Sequence, residues 1–122
     1  RALLKLEQGL LSEAYELLGV LADGASGYFK GYCLLLKGKT AGKMGLQEEA
    51  AEIFAGIIDD ASLMERREDA IYFLALLLNN IPGKYSEAEQ WYFRLLEQYP
   101  SGKYSEKVRS YLEGENGNSQ RN

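Results

Sequence analysis

The sequence predicts an all-α chain, a solenoid of antiparallel helix pairs, and three observations carry that expectation. The hexapeptides GLLSEA (Gly9 to Ala14), GLQEEA (Gly45 to Ala50) and GKYSEA (Gly83 to Ala88) align without gaps at spacings of 36 and 38 residues. Periods of this size belong to stacked helix pairs. The same apolar ladder follows each copy: Leu18, Phe54 or Tyr92 four residues past the alanine, then Leu21, Ile57 or Leu95 three residues further on. These offsets return to one face of a helix with 3.6 residues per turn. Helix breakers fall in register with the copies. Asn80, Pro82 and Gly83 precede the third, and Pro100, Ser101 and Gly102 follow its helix.

Taken in order, the pattern predicts seven helices at 1–8, 11–22, 27–43, 46–59, 63–80, 86–98 and 104–113. The first rests on Ala2, Leu3, Leu4 and Leu6 and meets Gly9, which heads its motif as Gly45 and Gly83 head theirs. Glycine there is expected to end the preceding helix, because it accepts the left-handed conformation of a C-terminal cap. The motif alanines Ala14, Ala50 and Ala88 let paired helices approach closely, and the bulky ladder residue fills the space beside them. Within 27–43, Gly31, Gly38 and Gly42 share one stripe. Each costs about 0.5–1 kcal/mol against alanine in a helix interior, which tight helix packing, or the approach of a ligand backbone to Gly42, would offset. Ser62 with Glu65 and Ser86 with Glu89 have the spacing of capping boxes. Consecutive Trp91, Tyr92 and Phe93 must point apart, with Tyr92 in the core and one neighbour either packed on the final helix or anchoring a partner. The repeat domain is expected to span 1–113, followed by a polar, frayed tail over 114–122.

Composition narrows the function. The 122 residues include no His and one Cys, with 18 acidic and 14 basic side chains and a formal net charge of −4. Zero histidine removes imidazole from any catalytic or metal-binding scheme, and a lone Cys33 permits neither an internal disulfide nor a thiolate-rich zinc site. Cys33 is expected to be a buried small apolar residue. Neighbouring acids such as Glu48 and Glu49, Asp59 and Asp60, or Glu68 and Asp69 face apart on a helix and do not converge on a substrate. No phosphate-binding glycine loop, nucleophile elbow or calcium loop is present. The expectation is a non-enzyme with no cofactor. The acidic balance argues against nucleic acid as a partner. No apolar run reaches the roughly 18 residues that span a bilayer, so direct membrane insertion is not expected. The sequence opens at Arg1 already inside a helical pattern, which fits a piece of a longer array.

The repeats resemble the tetratricopeptide family, in which a first helix, a glycine turn, a second helix and a proline recur. In the last full repeat the resemblance rests on Ile71, Leu74, Ala75, Leu78, Gly83, Tyr85, Ala88, Tyr92, Leu95 and Pro100. In the middle repeat it rests on Leu34, Gly38, Gly45, Ala50, Phe54 and Ile57. Departures are Ser62 in place of the terminal proline, Lys37 where the family prefers leucine, and repeats longer than about 34 residues. The resemblance implies a right-handed superhelix of about 3.5 repeats whose first helices line a concave groove for a protein or peptide. Carried over residue by residue, that groove would present Tyr32, Leu35, Lys39 and Lys43 from 27–43. It would present Asp69, Tyr72, Leu76 and Asn79 from 63–80, and Lys107 and Tyr111 from the last helix. The segment from Tyr99 to Gly114 resembles junctions in bacterial envelope proteins of this type, such as the outer-membrane assembly lipoproteins and the Tol-Pal-associated cell-division coordinator. That likeness points to the bacterial periplasm or envelope.

Charge is segregated along the chain. Lys30, Lys37, Lys39 and Lys43 fall in 25–46 without an acid, whereas 47–69 holds eight acids against Arg66 and Arg67. Two readings stand: a basic helix that selects an acidic peptide or a C-terminal carboxylate, or a solvated face whose exposed pairs are worth about 0–1 kcal/mol each. The functional expectation is a protein- or peptide-binding scaffold. The alternative is a structural module that self-associates or packs on another domain, using the apolar side of Leu3, Leu4 and Leu6.

Overall fold

A computed structural model describes the backbone of residues 5–121 and the side chains of 5–114. The order is α1 (Lys5–Asp23), α2 (Gly27–Lys43), α3 (Gln47–Asp59), a 3-10 turn (Ala61–Arg66), α4 (Arg67–Asn79), α5 (Tyr85–Gln98) and α6 (Ser105–Arg121). Among the described residues there is no strand, so the chain is all-α. Each helix packs on its neighbour in sequence, and α2 also touches α4.

Two of the three motif glycines act as the sequence predicts. Gly45 has φ +83° and Gly83 φ +87°, conformations that a Cβ would strain. After α2, the N–H of Gly45 donates to the Gly42 carbonyl and the N–H of Leu46 to the Ala41 carbonyl. This is the Schellman arrangement that satisfies the last carbonyls of a helix. After α4, Ile81–Pro82–Gly83–Lys84 closes with Lys84 N–H on the Ile81 carbonyl. Proline followed by a positive-φ glycine is the order of a type II turn.

Gly9 behaves differently. Residues 5–23 form one helix straight through it, so the break between 1–8 and 11–22 is absent. Among the described residues, nothing lies within 4 Å of where a Gly9 Cβ would stand. Leu3 and Leu4 lie outside the described residues.

The expected helix 63–80 is also divided. Asp60 caps the 3-10 turn by accepting from the Ser62 backbone N–H at 2.9 Å and its hydroxyl at 2.7 Å. These two bonds hold the Asp60 carboxyl below its ordinary pKa, the hydroxyl contributing more. Leu63 leaves the helical region at φ −112°, ψ 20°, and α4 begins only at Arg67. Ser62 is therefore a donor to a cap and not the cap itself. Ser86 likewise lies inside α5, whose cap position is Lys84 with no side-chain bond. At the other end, α6 runs to Arg121, past the predicted stop at 113.

Helix α4 lies at the centre. Ala70, Leu74 and Leu78 face one core with Leu35, Ala41, Ala50, Phe54, Ile57 and Leu63. Ile71, Tyr72 and Ala75 face a second with Tyr92, Leu95, Val108 and Leu112. The motif alanines Ala50 and Ala88 are wholly buried, and Cys33 is buried as expected. Trp91 packs partly buried against both cores with Arg94 over its ring at 4.6 Å, while Phe93 points outward.

Close packing explains two of the three α2 glycines. A Cβ on Gly38 would stand 2.6 Å from the buried Phe54 ring, and one on Gly31 would stand 2.9 Å from Arg66 Cγ. A Cβ on Gly42 would meet only Leu77 Cδ1, at an ordinary 3.8 Å. Urea unfolding should therefore separate them. Gly38→Ala is expected to lower stability by about 1–3 kcal/mol through overpacking, and Gly42→Ala to raise it by up to about 1 kcal/mol through helix propensity. Equal effects at both positions would contradict this packing.

Candidate functional site

Helices α2, α4 and α6 carry residues of matching periodicity that line two neighbouring depressions. Lys39 and Lys43 are four apart on α2, Tyr72, Leu76 and Asn79 fall at i, i+4 and i+7 on α4, and Lys107 and Tyr111 are four apart on α6. Such spacings bring side chains to one helix face. Between α2 and α4 lies a depression of about 350 Å³ lined by Gly38, Lys39, Gly42, Lys43, Gln47, Phe54, Phe73, Leu76, Leu77 and Asn80. Between α4 and α6 lies one of about 170 Å³ lined by Tyr72, Leu76, Asn79, Tyr92, Lys107, Val108 and Tyr111. Leu76 borders both, so the two depressions flank its side chain on either side of α4.

The wall on the α6 side is held by aromatic contacts and two hydrogen bonds. The Tyr104 ring stacks on Tyr72 with centroids 4.1 Å apart and planes 4° from parallel. Its hydroxyl donates to Asp69 Oδ1, and the Tyr111 hydroxyl donates to Asn79 Oδ1, both at 2.5 Å. Tyr92 and Tyr111 lie 5.0 Å apart. Burial, followed by the bond to Asp69, raises the pKa of the Tyr104 hydroxyl, and burial raises that of Tyr92. Both stay neutral at physiological pH.

Two of the three groove lysines rest on rings. Lys39 Nζ lies 4.5 Å from the Phe73 centroid, and Lys107 Nζ lies 5.8 Å from that of Tyr72. Contacts of this kind orient an ammonium without neutralising it. Phe73 is itself fixed by Phe54 at 6.2 Å and Tyr72 at 5.4 Å.

Six of the sequence-predicted residues, Lys39, Lys43, Tyr72, Asn79, Lys107 and Tyr111, border this groove, and so does Leu76. Three others stand elsewhere. Tyr32 is exposed near the start of α2, where it and Tyr28 flank the Arg66 guanidinium at 5.1 and 4.4 Å. Leu35 is buried in the first core and faces no ligand. Asp69 is buried under Tyr104, with Lys103 at 2.7 Å and Arg66 at 3.9 Å, so its carboxylate serves the fold. Sequence reasoning missed Phe73, Leu77, Gln47 and Asn80. The repeat frame assigned Phe54 to the core, where it is buried, yet it also borders the α2–α4 depression. No periodic signal separates Phe73 from a purely buried residue.

No protein-family model matches the chain, and neither does a curated protein or a solved structure. Among the described residues, no helix is long and apolar enough to cross a membrane.

Proposed function

We propose that this chain is a tetratricopeptide-type repeat module of about three and a half repeats. It binds a protein or peptide ligand along α2, α4 and α6 and performs no catalysis. The observation that carries the reading is that two neighbouring depressions, one between α2 and α4 and one between α4 and α6, share Leu76 as a lining residue. Alternate helices then supply one surface, with an apolar floor and polar groups at its edges, as a peptide site requires. Support for the repeat assignment comes from the three aligned motifs, the buried alanines of α3 and α5, and the sequential packing of helix on helix. The bacterial envelope setting is part of the same proposal and rests on the junction from Tyr99 to Gly114 alone.

A second reading has its own observation. Leu6, Leu10, Leu17 and Val20 are 75, 58, 59 and 67% exposed on α1, and their spacing puts them on one helix face. An uncovered apolar stripe of that length favours association through α1. Sedimentation equilibrium should then show a mass that rises with concentration and returns to monomer in Leu10→Lys with Leu17→Lys. A monomer at all concentrations in the parent chain rules this reading out.

The groove itself is best probed at Leu76. Tyr72→Ala would remove a buried ring, at about 3–5 kcal/mol, and confuse binding with folding. Leu76 is 37% exposed, so Leu76→Glu should cost about 1 kcal/mol, well below the loss of a buried ring. Peptides selected from a random display library on the parent chain are expected to bind Leu76→Glu at least tenfold more weakly by calorimetry. Unchanged affinity would remove the groove from the account.

A further inference from the structure

The groove is charged oppositely to the chain. The formal net charge is −4, yet the residues lining the two depressions include Lys39, Lys43 and Lys107 and no Asp or Glu. Elsewhere on the described surface two lysines pair with acids, Lys84 at 3.2 Å from Glu87 and Lys103 at 2.7 Å from Asp69, while Lys37 lies over the Tyr15 ring at 4.7 Å. The three groove lysines have no carboxylate at ion-pair distance among the described residues, and two of them sit over rings. A cation that no acid neutralises keeps its attraction for an incoming carboxylate.

The distribution of charge along the groove adds a second condition. Lys39 and Lys43 stand at its α2 side and Lys107 at its α6 side, with Phe73, Leu76 and Leu77 between them. Adjacent packed helices lie about 8–10 Å apart, so crossing from α2 over α4 to α6 takes about 20 Å. An extended chain covers that distance with about six residues. A terminal carboxylate would satisfy one end of the groove and leave the other unmatched. Asn79 uses its carbonyl oxygen on Tyr111, which leaves its amide N–H donors for a peptide carbonyl. Gly42 adds no side chain to obstruct a backbone passing Leu77.

We infer that the groove takes an internal, extended segment of a partner in which carboxylates flank one or two large apolar side chains. This rests on the peptide-binding reading above and names the chemistry of its ligand. The apolar side chain fills the depression over Phe54, Phe73 and Leu77, and the carboxylates meet Lys39 and Lys43 on one side and Lys107 on the other.

The test uses arrays of C-terminally amidated hexapeptides with an apolar pair at the centre and Asp/Glu, Gln/Ser or Lys/Arg at the four flanking positions. Affinities of the strongest members are then read by fluorescence anisotropy. The acidic set should bind at least tenfold more tightly than the neutral set and weaken about tenfold between low and 0.5 M salt, as screening requires. Lys39→Glu with Lys43→Glu, both exposed, should reverse the preference toward the basic set. Equal binding of acidic and neutral sets, lost in Leu76→Glu, overturns the acidic preference and leaves the groove standing. Binding that appears only when the terminal carboxylate is restored overturns the internal segment. A labelled oligodeoxythymidine that binds more tightly than every peptide overturns a peptide ligand. Failure of all three sets removes the inference and the groove reading together.

Discussion

The groove depends on how Tyr104 seats α6 against α4. Its ring lies flat on Tyr72 and its hydroxyl reaches the buried carboxylate of Asp69. An aromatic pair contributes about 0.5–1.5 kcal/mol beyond its burial, and a hydrogen bond to a charged group about 1.5–3 kcal/mol. Together they set the start of α6, and Tyr111 on Asn79 repeats the attachment nearly two turns further along. Between these two attachments the smaller depression stays open, with Val108 as part of its floor and Leu112 closing the core beneath. Without Tyr104, Asp69 would keep Lys103 and Arg66 as partners, but nothing would tie its position to the tilt of α6.

The same dependence gives α4 its unusual composition. Buried on several sides, it reads AIYFLALLL where the other helices alternate apolar and polar turns. It separates the two cores and supplies the ridge, Leu76, over which the groove passes. Arg67 ties its first turn to the end of α3 through a 3.0 Å bond from Nε to the Ile58 carbonyl. Helix α1 is the contrasting case. Among the described residues only α2 packs on it, and the ladder residue Leu21 is exposed where its equivalents Ile57 and Leu95 are wholly buried.

Periodic features were legible in the sequence because they repeat. The ladder and the turns at Gly45 and Gly83 follow from helical spacing, whereas the grouping of Lys39, Lys43, Tyr72, Asn79, Lys107 and Tyr111 comes from the tetratricopeptide resemblance. Features that hinge on one non-repeated contact were not. Gly9 permits a turn without enforcing one, and the helix continues through it as α1. Asp60 outcompetes Ser62 as a cap because its carboxylate accepts two bonds at once, which delays α4 by a 3-10 turn. Asp69 looks like a groove acid by position and is instead buried, since Tyr104, 35 residues later, covers it. Tyr32 belongs to the right stripe, but the Arg66 side chain draws it into a separate cluster with Tyr28.

The dependence on Tyr104 is open to a direct measurement, amide hydrogen exchange resolved by residue in the parent chain and in Tyr104→Ala. Loss of the ring and its bond should speed exchange of α6 amides from Val108 to Leu112 by tenfold or more, about 1.4 kcal/mol of local opening. Amides of α2, α3 and the middle of α4 should keep their protection. Unchanged protection in α6, or a uniform loss across all helices, would contradict the claim that this contact seats α6 and shapes the groove.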